Sequence, residues 1–229
     1  MYKIKTQVQK QQLCAVTLLG NLVATPDIRY RANPVSAITE ITLATRSKWL
    51  DKKTNQYKEW TSYHHIKVAG DLVEQALLTA NKGDIVLVQG YLSNIKASKV
   101  KTHSSMATDH GSIVHANFIQ TFNKGYSQTV NLILCSAQLA SAPQLITTQN
   151  NKKLAQVNIT INHQYYSEDK QCWQNHIVER ELHVWGKQAL HLVENAQVGD
   201  NLMVEGKLSY LATADKRQFI DAKTIHLLS

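Results

Sequence analysis

The sequence predicts an all-β chain built as two tandem small β-barrels, each with one short helix. Three observations carry this reading: short alternating segments rich in β-branched residues, one switch to helical spacing in each half, and an internal repeat at an offset of about 117 residues. The repeat rests on four anchors. Leu22 and Pro26 in NLVATPDI align with Leu139 and Pro143 in QLASAPQL, and ITL from Ile41 aligns with ITI from Ile159. VAGD from Val68 aligns with VWGK from Val184, and KGDIVLVQGYL from Lys82 aligns with VGDNLMVEGKL from Val198. The copies are read as domains 1–125 and 126–229, with FNKGYSQ at 122–128 as the joint.

In the first copy, segments 13–22, 38–46 and 60–68 are strand-like, with Pro, Asn and Lys-rich breaks between them. The period then changes. Leu72, Val73, Ala76, Leu77 and Ala80 fall at helical spacing over 71–81, and KGD ends that helix before strands at 85–92 and 113–122. The second copy repeats the order, with a helix over 187–196, VGD, and strands at 202–208 and 218–227. Three strands, a helix and two strands is the order of an OB-fold, a Greek-key barrel whose strand 2 and 3 face and loops bind single-stranded nucleic acid. An SH3-like or split barrel has the same strand count, which fixes neither shear nor closure.

Hydrophobic residues make up 43% of the 229 and charged residues 18%, enough apolar surface for a core and too much for a mostly disordered chain. The longest apolar run, 13–24, is broken by Thr17, Gly20 and Asn21, so no membrane span is expected. The start, MYKIKTQVQKQQ, has no apolar stretch of the secretory type, which predicts a cytoplasmic protein. Cys14, Cys135 and Cys172 fit neither a disulfide framework nor a paired zinc motif; they are expected as reduced thiols, two of them buried in strands. Residues 1–125 carry sixteen Lys/Arg against eight Asp/Glu, whereas the rest of the chain carries nine of each. A surplus confined to one half points to a localised anionic partner; the alternative is lysine that only solubilises.

The candidate contacts lie in the hairpin RSKWLDKKTNQYKEW, where Arg46, Lys48, Lys52, Lys53 and Lys58 interleave with Trp49, Tyr57 and Trp60 around a KTNQ turn. Ile66 and Val68 fix the core face of the next strand and turn Tyr63, His65 and Lys67 outward. Single strands expose phosphates and unpaired base faces, so a sequence-tolerant binder needs cations and flat rings together. Trp49 shares the register of Ile41 and Leu43, so the expectation includes a bulge before it that turns it out of the core. Tyr91 on the fourth strand joins the candidates. The loop SNIKASKVKTHSSMATDHGS adds Lys96, Lys99 and Lys101, either as an extension of the phosphate track or as a spacer without contacts.

At the matching positions the second copy has Glu179, Glu181 and His183, an acidic face expected to contribute little to binding a polyanion. Its Tyr165, Tyr166, Trp173 and Trp185 can stack bases, contact protein or pack in the core; of these, Trp185 is retained as a candidate.

With these residues in view, the first copy resembles the bacterial single-stranded DNA-binding protein family: LLGNLVATPDIRY, ITLATRSKW, TSYHHIKVAG and KGDIVLVQGYL follow in family order and spacing over most of 13–120. The second copy is a more distant match. The resemblance implies that Trp49 stacks a base and that Tyr63 stands where the family usually has a stacking Trp. Where the family has an aromatic before the strand 3 glycine, this chain has Ala69, restored in the second copy as Trp185; the aromatic beyond strand 4 falls at Ala97 or Thr213. Family members assemble four OB domains, so two per chain implies a homodimer. The family's glycine-rich tail with an acidic tip has no counterpart after IHLLS, so recruitment of partners through such a tip is not expected.

No phosphate-cradling glycine motif is present, His64 and His65 point to opposite faces of one strand, and Cys172 with His176 lacks an orienting third group. Neither an enzyme nor a metal or other cofactor is expected. The expected function is non-enzymatic coating of single-stranded DNA. The alternatives are an accessory scaffold for replication or conjugation whose two barrels contact protein and, more remotely, an OB-type nuclease.

Overall fold

The computed structural model describes residues 12–32, 35–51, 54–94, 112–125, 128–167, 171–213 and 217–228. The first unit contains β1 (Cys14–Leu22), β2 (Arg29–Arg31), β3 (Ser36–Asp51), β4 (Gln56–Ala69), α1 (Asp71–Ala76), β5 (Ile85–Asn94) and β6 (Ser112–Phe122). The second contains β7 (Val130–Leu139), β8 (Gln144–Thr147), β9 (Lys153–Ser167), β10 (Cys172–Trp185), α2 (Lys187–Asn195), β11 (Asn201–Tyr210) and β12 (Gln218–Leu228). β1 pairs antiparallel with β5 along most of its length and then with β3 at Asn21 and Leu22; β4 meets β6 in parallel at Ile66 and Val114. These two joins close the ring and separate an OB barrel from the other small barrels with the same strand count. In the second unit β7 meets β11 and β9, and β10 runs parallel to β12, so the chain is two tandem OB-folds.

The close joins depend on glycine. A Cβ on Gly20 would run into the carbonyl of Ala44 where β1 crosses from β5 to β3. At Gly90 the β5–β6 register slips by one residue, and a Cβ there would collide with the carbonyl oxygen of His115; Gly206 repeats this slip against Asp221. Gly90→Ala is therefore expected to cost about 3 kcal/mol in urea denaturation, because the obstacle is backbone that cannot rotate away.

The helical face predicted over 71–81 is present, with Val73, Leu77 and Ala80 buried, but the helix itself stops at Ala76. Thr121 Oγ1 donates to the carbonyl of Ala76 at 2.7 Å, and the amide of Ala80 turns instead to Leu77, so the next turn is not α-helical. β2 and β8 are strands the sequence did not announce. Each is short and wholly exposed, so neither shows an alternating burial pattern. Of the cysteines only Cys135 is fully buried; Cys14 is half-buried and Cys172 exposed.

The barrels are joined by a ladder between β1 and β7, running from Cys14 opposite Cys135 to Leu19 opposite Val130. Val16 and Ile133, which correspond under the repeat, pair with each other, so a pseudo-twofold axis passes through that pair. Buried apolar side chains from both units form one contiguous core. Flanking the axis, the same two repeat positions meet twice in different chemistry. His64 shares a hydrogen bond with Tyr210 at 3.1 Å, and its counterpart Arg180 donates to Asn94 Oδ1 at 2.8 Å and to the Ser93 carbonyl at 2.9 Å. Burial pushes the Arg180 guanidinium down to about 10; it is held by neutral acceptors, Gln218 among them.

Candidate nucleic-acid interface

β3 and β4 pair without a break from Ile38–Ala69 out to Asp51–Gln56, farther than the barrel wall extends. The last fully buried pair is Thr45 with Ser62; beyond it the hairpin stands clear of the barrel. Its root is fastened by Thr129, whose hydroxyl accepts from the Arg46 amide at 2.9 Å and donates to the Arg46 carbonyl at 2.7 Å. Asn55 takes the left-handed backbone conformation that the tight tip requires, one that Asn tolerates.

The bulge expected before Trp49 is not there. The ladder keeps one register throughout, and Trp49 stays on the side of Ile41 and Leu43. It is nevertheless 46% exposed, because the wall that would have covered it ends first. Residues opposite one another in an antiparallel ladder share a face. The core-side face of the overhang therefore carries Trp49 opposite Lys58 and Trp60 opposite Ser47. The outer face carries Arg46, Lys48, Tyr57, Tyr63, His65 and Lys67. Trp60, Tyr57 and Tyr63 are each more than half exposed.

Several cations already hold local partners. Lys58 pairs with Asp51 at 2.5 Å, Arg46 lies 3.6 Å from Glu59, and the Lys48 ammonium sits 4.9 Å from the centre of the Tyr57 ring. The Arg46–Glu59 pair, about half exposed on both sides, is worth little in water and exchanges readily for a phosphate. His65 shares a 3.3 Å hydrogen bond with Thr42. Lys52, Lys53, Lys96, Lys99 and Lys101 lie outside the described residues.

Tyr91 does not belong with this set. Its ring stacks on His115, with centroids 5.2 Å apart, and on Tyr165 of the second barrel at 5.9 Å, and His163 meets it edge-on at 4.8 Å. That packing is a barrel-to-barrel contact, and burial raises the phenol well above its usual range. His64, one residue before the exposed His65, is fully buried and bonds to Thr45 at 2.8 Å; burial pushes its ring down to about 4.

The second barrel's face also differs from its expected form. His183 is buried against Phe219 and hydrogen-bonded to Glu181, Glu179 stays exposed, and the neighbouring strands add Lys207 and Lys223, which pair with Asp221 and Glu205. Trp185, 39% exposed, donates to Asp221 at 2.9 Å and lines an open groove of about 1100 Å³ with Lys152, Lys207 and Lys223. Sequence reasoning missed these lysines; outward alternation along β11 would have found Lys207, whereas Lys152 precedes β9 and Lys223 is the extra residue where the β11–β12 register slips. Among the described residues, no group of three or more His, Cys, Asp or Glu could hold a metal ion, and no helix is long and apolar enough to cross a membrane.

The model of the single-strand binding protein family matches twice, over residues 13–116 and 130–226. Wild-type single-stranded DNA binding protein from Thermus aquaticus is similar in structure, with a TM-score of 0.74 and 21% identity, over 96% of this chain and 94% of that one. A deletion mutant of the same Thermus aquaticus protein gives a TM-score of 0.75 at 23% identity, covering 96% of each chain.

Proposed function

The chain belongs to the single-strand binding protein family, and from that premise we propose that it coats single-stranded DNA without sequence preference, mainly through the overhanging hairpin of its first barrel. The observation that supports this most is the hairpin itself: Trp49, Tyr57 and Trp60 exposed and interleaved with lysine and arginine on a ribbon clear of the wall, with Tyr63 exposed on the outer face at its root. In this reading Arg46, Lys48, Lys52, Lys53 and Lys58 meet phosphates, while Trp49, Trp60, Tyr57 and Tyr63 stack on bases. His65 and Lys67 continue the outer face toward the barrel, and Lys96, Lys99 and Lys101 extend the phosphate track. Domain 1–125 is the principal binding unit. Domain 126–229 adds Trp185 and its groove as a secondary contact and otherwise supports assembly into a homodimer with four barrels. The setting is replication, recombination or repair, and the mechanism is binding alone, with no bond made or broken.

Titrating intrinsic tryptophan fluorescence with oligo(dT) at two salt concentrations tests the proposal. Strong quenching with affinity falling steeply as salt rises is expected, because stacking quenches indole and phosphate contacts release counterions. Weak quenching that ignores salt would favour a protein-contact scaffold, and metal-dependent shortening of the oligomer would favour a nuclease.

A further inference from the structure

The β1–β7 ladder places two of the chain's three cysteines directly opposite one another, Cys14 against Cys135. The amide of Ser136 donates to the Leu13 carbonyl at 3.0 Å, so Leu13 and Ser136 occupy a hydrogen-bonded position of the ladder. The next pair, Cys14 and Cys135, then falls at a non-hydrogen-bonded position, where opposed Cα atoms are about 4.5 Å apart and side chains come closest. That separation lies at the short end of the range a disulfide spans. Opposed residues of a ladder share a face, and both side chains turn inward: Cys135 is fully buried, and Cys14 is half-buried with its sulfur accepting from the Leu92 amide at 3.4 Å.

We propose that Cys14 and Cys135 are a latent cross-strand disulfide site, reduced at rest, that staples the two barrels across their pseudo-twofold axis when a peroxide is present. Cys14, the more accessible of the two, reacts first. Its thiolate attacks one peroxide oxygen, the O–O bond breaks, and a sulfenic acid and one water result. The Cys135 sulfur then displaces the hydroxyl from the Cys14 sulfur; the Sγ–Sγ bond forms, the Cys135 proton leaves with that hydroxyl as a second water, and the peroxide has taken up the two electrons lost by the thiols. Burial pushes the Cys14 thiol up to about 11, so the first step is slow at neutral pH and faster in mild alkali.

The test uses the full chain carrying Cys172→Ser, which removes the exposed thiol. In one arm the folded protein is treated with hydrogen peroxide at mildly alkaline pH; in the other it is refolded in a glutathione redox buffer, where burial does not limit access. Non-reducing peptide mapping is expected to find the Cys14 and Cys135 peptides linked and lighter by two hydrogens. The closed loop exceeds 100 residues, so Tm should rise by roughly 5–10 °C, reversibly on reduction, and not when Cys135→Ser is added. Linkage with unchanged or lowered Tm would refute the stapling role. Alkylation of both thiols in both arms, or sulfinic acid at Cys14 beside a free Cys135, would overturn the site itself.

Discussion

Removing one ring from each face of the hairpin, Trp49→Ala together with Tyr63→Ala, should weaken oligo(dT) binding by roughly a hundredfold to a thousandfold. Each stacked base contributes about 1–3 kcal/mol, and because the two rings lie on opposite faces of one ribbon their losses should nearly add. Trp185→Ala alone should cost less than about tenfold, since it touches only the secondary groove. Anisotropy of a labelled oligomer reads these variants and the two single ones without relying on the tryptophans. Equal losses from Trp185→Ala and the double variant would refute the division of labour between barrels. A loss from Tyr63→Ala with none from Trp49→Ala would restrict the contact to the outer face.

The second large effect concerns acid. His64 and His163 are both buried, and burial lowers each ring to about 4, with the neighbouring His65 and His176 respectively adding to the shift. An unfolded histidine takes up its proton near pH 6.5. Above that pH neither state is charged and the groups do not affect stability. Between about 6.5 and 4 the unfolded chain binds protons that the folded chain refuses, so stability falls as pH falls, by about 1.4 kcal/mol per pH unit for each group. Over that window the pair removes several kcal/mol, a large share of the stability of an ordinary domain. Thermal melts from pH 7 to pH 4 should show the decline. His64→Phe, which keeps a ring in place of the titrating group, should make the decline shallower even though it loses bonds to Thr45 and Tyr210, the remainder coming from His163 and from His115, whose ring burial also lowers. An unchanged slope in that variant would show that His64 is not a source of the loss.

The barrel order was legible because it rests on local signals: alternation in each strand, one helical segment per copy, and glycines recurring at matching positions of the repeat. What escaped depends on how far neighbouring structure extends. Alternation told correctly which face Trp49 shares, but it carries no information about where the wall opposite that face ends, so a bulge was invoked where the strand simply outruns its cover. The shortened α1 turns on a hydroxyl from Thr121, far along the chain. Tyr91 looked like a spare ring because the groups that occupy it, Tyr165 and His163, belong to the other barrel. Arg180 would read as surface charge by composition; only the meeting of β10 with the end of β5 shows it satisfied in the interior. On the second barrel, a mapping confined to β10 saw its carboxylates and not the lysines of the neighbouring strands, which pair there with Asp221 and Glu205.

The ladder between β1 and β7 has a consequence for how the protein behaves when scarce. A pairing of this kind between separate single-barrel subunits would dissolve on dilution; here a short tether sets the local concentration of each half for the other, and that is independent of how many molecules a cell contains. Because the halves are inherited together yet occupy different sequence, a substitution in one need not be matched in its twin. That is how a histidine could settle on one side of the axis and an arginine on the other, and how the surplus cations could gather on one barrel alone.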